Sequence, residues 1–196
     1  MKKSSRRSSI HDQSLNFIHA NFMEKLLLPS TVQILDGDAP YRGRIVIARC
    51  YHGYGTTIGN ALRRVLLSSL PGAAVIAVKI KGTQHEFSSI NGVKEDVLDI
   101  TLNLKRVRLR VFSEEPVTVR LHAKGEGPVT AGQIEATSDV EIMSKDIVIA
   151  TITDPKAELD LELTVQQGRG YVPVEERKHQ EMDIGTIAID ALYTPI

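Results

Sequence analysis

TTIGNALRRVLLSSL, residues 56–70, decides how the rest of the chain is read. Thr56 or Thr57 can cap its start and Pro71-Gly72 stops it, so the spacing predicts an α-helix. Ile58, Ala61, Leu62, Val65, Leu66 and Ser69 recur at helical spacing. They form one mostly apolar face, expected to turn to a core. At about 100° per residue, Leu67 points almost the opposite way, with Asn60, Arg63, Arg64 and Leu70 beside it. A leucine framed by two arginines suits a protein contact, because arginine packs through its plane and forms bidentate hydrogen bonds. A solvated arginine pair beside an exposed leucine is the alternative.

Working outward from this helix, the remainder reads mainly as strands. RIVIARC (44–50), AVIAVKIKG (74–82), RVRLRVF (106–112), VTVRLHAKG (117–125) and AELDLELTVQQG (157–168) alternate apolar and polar residues, as half-buried strands do. Gly and Pro clusters at 71–72, 125–128, 154–155 and 168–170 separate them and mark turns. Ser113-Glu114-Glu115-Pro116 is a short link between two alternating runs, so 106–125 is expected to be a hairpin. KEDVLDITLNLK (94–105) is expected to be a second helix. Glu95 and Asp96 would lie in its first turn and Lys105 in its last, which suits the helix dipole. Val93, Val97, Ile100 and Leu104 would form its apolar seam. The expected class is α+β.

The chain has 196 residues, enough for one or two domains. Twenty-four basic and 24 acidic residues cancel, and 42% of residues are hydrophobic. That balance excludes global disorder and gives no overall basic field for DNA. A single cysteine, Cys50, excludes an internal disulfide and a multi-cysteine metal site. Cys50 is expected to close a strand and pack. No apolar run approaches the length of a membrane span. The start, MKKSSRRSSIHDQ, is basic but lacks the apolar middle of a secretory signal. Residues 1–22 are expected to form a basic flexible tail.

A search for chemistry finds none. GYGTTIG (53–59) lacks the Gly-Lys-Ser/Thr ending of a phosphate loop, and its glycines fit a tight strand-to-helix turn. No two of His11, His19, His52, His85, His122 and His179 have the spacing of a helical zinc site. Glu95 and Asp96 are adjacent, so on a helix they diverge rather than face one ligand. Ser68-Ser69 has no nucleophile-elbow context. No catalytic residue, metal ligand or cofactor is therefore assigned. Arg106, Arg108 and Arg110 would share one strand face, open to nucleic acid, to an acidic protein surface or simply to solvent. No aromatics interleave with them as a stacking platform needs. In Gly168-Arg169-Gly170-Tyr171, turn chemistry alone explains the glycines.

Together GYGTTIGNALRRVLLSSLPGAAV (53–75), HEFSSINGVKEDVLDITLNLK (85–105), GPVTAGQI (127–134) and VQQGRGYVP (165–173) resemble the amino-terminal region of the bacterial RNA polymerase alpha subunit. They stand in that family's order and at similar spacing, over about residues 23–196. The resemblance implies a discontinuous dimerisation domain interrupted by a mostly β inserted domain. It places the first part of the dimerisation domain at 23–71, the insert at 72–193 and the start of the return at 194–196. It implies a non-catalytic scaffold of DNA-directed RNA polymerase, a nucleotidyltransferase. In that scaffold two alpha chains pair and assemble the beta and beta-prime subunits, which carry catalysis and its Mg²⁺. Arg64 and Leu67 match beta-contact positions of the family, with Arg63 and Asn60 beside them. Lys105 matches a position linked to beta-prime assembly, Asp99 is a further candidate, and Ile189 in IGTIAIDALYTP (184–195) matches another. DNA is met only through the assembled enzyme, in the cytoplasm at the nucleoid, with no membrane partner. The family's remaining dimerisation segment and its carboxy-terminal DNA- and activator-binding domain have no counterpart in residues 1–196. Three rivals remain: a small-molecule enzyme using GYGTTIG as an anion site, a stand-alone nucleic-acid-binding module using the tail and 105–110, and an alpha fragment that binds beta without dimerising.

Overall fold

The computed structural model of the protein describes residues 29–39, 41–83, 85–177 and 183–196. The tail expected over 1–22 lies outside these residues. The chain divides into two units, one running up to Ala61 and the other beginning at Leu62.

In the first unit, β1 (Thr31–Asp36) and β2 (Gly43–Ala48) form an antiparallel hairpin, with Thr31 opposite Ala48. Every residue of β1 is exposed. The strand expected over 44–50 ends early because Arg49 takes a positive φ of 62°, a conformation that breaks pairing. Cys50 thus follows the strand instead of closing it, half-buried, with Sγ 3.8 Å from the Ile47 carbonyl.

Helix α1 spans Tyr54–Ser68. It begins two residues ahead of Thr56, directly after Gly53 at φ 79°, a backbone that glycine adopts without strain. Neither threonine is its cap. At its end the Ser68 hydroxyl donates to the Arg64 carbonyl at 2.7 Å, and the chain passes into β3 (Pro71–Ile80), so Pro71 opens a strand. No residue of α1 is buried, and Leu62 and Val65 on the expected core face are 40% and 54% exposed. That face is a core face in composition but has no core against it among the described residues.

The second unit is built on one antiparallel sheet in the order β11 (Thr186–Ala188), β3, β9 (Glu158–Arg169), β5 (Val117–Lys124). Alternation in β9 buries Leu159, Leu161, Leu163 and Val165 and turns Glu158, Asp160 and Glu162 outward. On β5 the matching positions are Lys124, His122 and Arg120, each directly opposite one of those acids. The result is a ladder of cross-strand ion pairs: Lys124 Nζ to Glu158 at 2.6 Å, His122 on Asp160, and Arg120 to Glu162 at 3.0 Å. Lys81 joins Asp160 at 3.1 Å. Opposite charges face to face are a register lock for a strand pair.

β3 is buried on both faces from Ala73 to Val78. Its register against β9 shifts between Val75 and Ala77, leaving Ile76 without a partner. This bulge changes the phase of the alternation. Ala73 and Val75 before it, and Val78 and Ile80 after it, all enter the main core, while Ala74 and Ile76 pack with Ala191 and Tyr193 in a second cluster.

The hairpin expected over 106–125 does not form. β4 (Leu109–Val111) pairs with β7 (Val140–Ile142), and β5 pairs with β9. Residues opposite each other in a sheet share a face. The four-residue link at 113–116 would set exposed Arg110 opposite buried Val119, so the faces conflict. β6 (Gly127–Thr130) pairs with β8 (Val148–Ile152).

Helix α2 runs Val97–Leu104, shorter than expected. Asp96 is its N-cap, accepting from the Asp99 amide at 2.7 Å. Glu95 lies before the helix, and its carboxylate accepts from the Thr151 amide at 2.6 Å and hydroxyl at 3.0 Å. It ties α2 to β8 and is not a first-turn residue. Val97, Ile100 and Leu104 are fully buried, as their spacing predicts.

After β9 the chain turns at Gly170 (φ 65°) into β10 (Tyr171–Val172), which pairs with β12 (Ala191–Leu192). Tyr193 then lies across the sheet above Gly72 and Gly168, which are opposite each other on β3 and β9. A Cβ at Gly168 would stand 2.6 Å from the Tyr193 ring, and one at Gly72 would stand 1.8 Å from its carbonyl oxygen. Gly168 is thus a seat for an aromatic residue inside a strand, and only Gly170 serves the turn.

Candidate functional site

Lys105 is the C-cap of α2, one residue past the buried Leu104. Its position follows from the helix: the apolar seam faces inward and the chain leaves with the lysine at the rim. Its ammonium donates to Asp190 Oδ2 at 2.9 Å, with both side chains about one-third exposed (31% and 29%). The other carboxylate oxygen, Oδ1, accepts from the Val174 amide at 3.1 Å. Asp190 is therefore gripped from both sides. The Lys105 hydrogen bond, followed by the Val174 amide, holds its carboxyl below the ordinary aspartate value. Burial pushes the neighbouring Tyr171 hydroxyl up, with the Asp190 charge adding to it.

The pair stands at one side of an open groove of about 580 Å³. Phe87, Leu98 and Leu102 line it and are 77%, 42% and 49% exposed. Apolar side chains gathered around a partly screened ion pair make a surface that water covers poorly and a protein partner covers well. The ion pair is a neutral unit, so covering this surface would not bury a bare charge.

The groove brings together two of the residues singled out in the sequence, Lys105 and Ile189. Ile189 is 2% exposed and its side chain belongs to the main core. Asp99 is exposed in the first turn of α2 and is not part of the groove lining. Arg63, Arg64 and Leu67 are exposed on α1, as is Asn60 one turn earlier, and none of them lines the groove. Asp190, Phe87, Leu98 and Leu102 were not singled out in the sequence. Arg106, Arg108 and Arg110 are exposed, with Arg110 3.4 Å from Glu141. Among the described residues no group of three or more His, Cys, Asp or Glu side chains is placed to hold a metal ion, and no helix is long and apolar enough to cross a membrane.

A depressed carboxyl stabilises the folded state above the ordinary aspartate value and ceases to do so as pH falls through its folded value. The Lys105–Asp190 contribution is therefore expected to be complete at neutral pH, to begin to decline at about pH 4 and to be lost as pH falls through the lower folded value of Asp190. Carbon-detected NMR of the Asp190 carboxyl checks this. A midpoint at or above that of an unstructured aspartate would refute it.

Residues 78–194 match the family model described as the RNA polymerase Rpb3/RpoA insert domain. The chain is 55% identical over 154 residues to the DNA-directed RNA polymerase subunit alpha of Alkaliphilus oremlandii, covering 79% of this chain and 48% of that protein. It is 52% identical over 174 residues to the subunit of the same name from Symbiobacterium thermophilum, covering 89% and 54%. With that of Desulforudis audaxviator the identity is 52% over 162 residues, covering 83% and 51%. The chain spans about half the length of the curated relatives it matches.

Proposed function

The chain belongs to the bacterial RNA polymerase alpha-subunit family, and from that premise we propose that it is a non-catalytic assembly scaffold of DNA-directed RNA polymerase. In this reading residues 23–71 and 194–196 contribute to a dimerisation domain that pairs with a second alpha chain. Residues 72–193 form the inserted β-rich domain. Arg64 and Leu67 on α1, with Arg63 and Asn60, take the beta subunit. Lys105 takes beta-prime, with Asp99 a further contact and Ile189 acting from beneath through the backbone next to Asp190. Catalysis resides in the large subunits, and DNA is met only through the assembled enzyme in the cytoplasm.

The observation that carries this reading is the Lys105–Asp190 pair set beside an exposed apolar groove. The groove supplies area to desolvate, and the pair supplies orientation. Two identical chains meeting two different large subunits would use the same surfaces differently in each copy.

Lys105→Ala is expected to leave alpha–beta association intact and to weaken beta-prime addition about 5- to 30-fold, the range of a moderate interface residue. Gel filtration of alpha mixed stepwise with beta and beta-prime measures both steps. Normal recovery of the complete core by the variant would sink the assignment.

A further inference from the structure

One short turn touches the corner of Asp190 from both ends. The 3-10 turn Val174–Arg177 begins with the amide that Asp190 Oδ1 accepts. It ends with Arg177, whose Nη1 donates to the Ile76 carbonyl at 3.2 Å and whose Nη2 donates to the Ile189 carbonyl. The Ile189 amide also donates to the Ile76 carbonyl, at 2.8 Å. Ile76 is the bulge residue of β3 and has no partner on β9. The Ile189–Ile76 bond continues the β11–β3 register by one step beyond Ala188 opposite Ala77, so the Ile76 carbonyl faces that edge and accepts from both donors there.

The connections form a single line. The bulge presents a carbonyl, Arg177 fastens the Ile189 carbonyl beside it, and the next residue, Asp190, is delivered to Lys105. The planar guanidinium, with donors at fixed angles, suits holding two carbonyls at once, which an ammonium does less well.

We propose that Arg177 is the positioning residue of the Lys105 surface: by clamping the Ile189 carbonyl to the Ile76 bulge, it fixes the Asp190 carboxylate and, through it, the lysine head. The proposal deepens the docking role assigned to Lys105 and rests on it for its biological meaning. The clamp itself is measurable without any partner.

The test uses the whole 196-residue chain with Arg177→Met, which keeps length and loses the donors, and Arg177→Lys, which restores one. Acylation of Lys105 by N-hydroxysuccinimidyl acetate is followed by mass spectrometry, with Lys124 on the sheet face as internal reference. In Arg177→Met, Lys105 is expected to react about two- to five-fold faster relative to Lys124, the span of one partly exposed ion pair. The Asp190 carboxyl is expected to titrate higher than in the wild type, and Arg177→Lys to fall between. A residue that merely braced the fold would lower the melting point without moving the Lys105:Lys124 ratio. An unchanged ratio and an unchanged Asp190 midpoint in folded Arg177→Met overturn the proposal. Should that variant not fold, ¹⁵N spectra of the unaltered protein decide. Separate, slowly exchanging Nη resonances for Arg177 are expected, and one averaged resonance overturns the clamp. Failure of the docking role is a different result: Lys105→Ala would add beta-prime normally while the clamp measurements stood.

Discussion

Arg64→Ala is expected to weaken capture of the beta subunit about thirtyfold, with little change in the stability of the chain itself. Arg64 is exposed on α1, and its side chain makes no ion pair among the described residues. Removing it should cost the fold no more than about 0.5 kcal/mol, as for other surface positions. Under the proposed beta contact, its value would lie in the complex. An arginine beside an exposed leucine can seat its planar group on a partner while Leu67, 40% exposed, fills a neighbouring depression. A loss of about 2 kcal/mol on truncation corresponds to the thirtyfold change. Titration of labelled beta with wild-type and variant alpha measures it. Equal affinities, with melting curves that superimpose, would remove Arg64 from the contact.

Gly72→Ala should have the largest effect on the fold. The added Cβ would lie 1.8 Å from the Tyr193 carbonyl oxygen and 3.0 Å from its carbon. Both are backbone atoms, so the segment that carries Tyr193, just after β12, must move as a body. Overpacking usually costs about 1–3 kcal/mol, and more where backbone is displaced, so about 3 kcal/mol is expected. For a chain of this size that lowers the melting point by about 6–12 °C. Gly168→Ala should be milder, because the atoms it meets belong to a ring that can tilt. Gly59→Ala is the control, with nothing within 4 Å of its Cβ, and should be neutral or slightly stabilising. The Tyr193 hydroxyl offers a second readout. Burial pushes it up from the ordinary tyrosine value, and once unseated it should titrate nearer that value. A Gly72→Ala protein that melts with the wild type would refute the seat.

Particular residues show where the sequence was legible. The wall of β9 was readable because AELDLELTV obeys one rule from end to end. The seam Val97, Ile100, Leu104 was readable for the same reason. The phase change at Ile76 was hidden, because GAAVIAV is apolar on both faces and the period-two signal disappears where both faces are buried. The short link at 113–116 suggests a hairpin over 106–125, but residues facing each other across it, exposed Arg110 and buried Val119, would not share a face. Gly168 looked like a turn glycine because the aromatic ring that needs it lies 25 residues later.

The candidate site was legible only in part. Helical spacing puts Arg64 and Leu67 in one outward patch with Asn60, Arg63 and Leu70, and only the family resemblance marks those two within it. Lys105 and Ile189 came from resemblance. Asp190 carries no local signal, since its partner is 85 positions away in the chain. Arg177 follows a turn-forming stretch with nothing to mark it, because what it recognises is a pair of carbonyls and carbonyls are present at every residue.

The bulge at Ile76 resembles a deliberate slip in a reading frame. A strand ordinarily speaks to one hydrophobic neighbourhood at a time, every second residue. By spending one residue on a change of frame, β3 keeps the main core in view along its whole length while its reverse side serves the Tyr193 cluster. The arrangement makes length within β3 a quantity the fold counts. Smoothing the bulge out with every residue kept would carry the alternation of Ala73 and Val75 on to Ala77 and Lys79, and turn a wall inside out from that point onward, whereas deleting Ile76 alone would leave the pairing from Ala77 onward as it is.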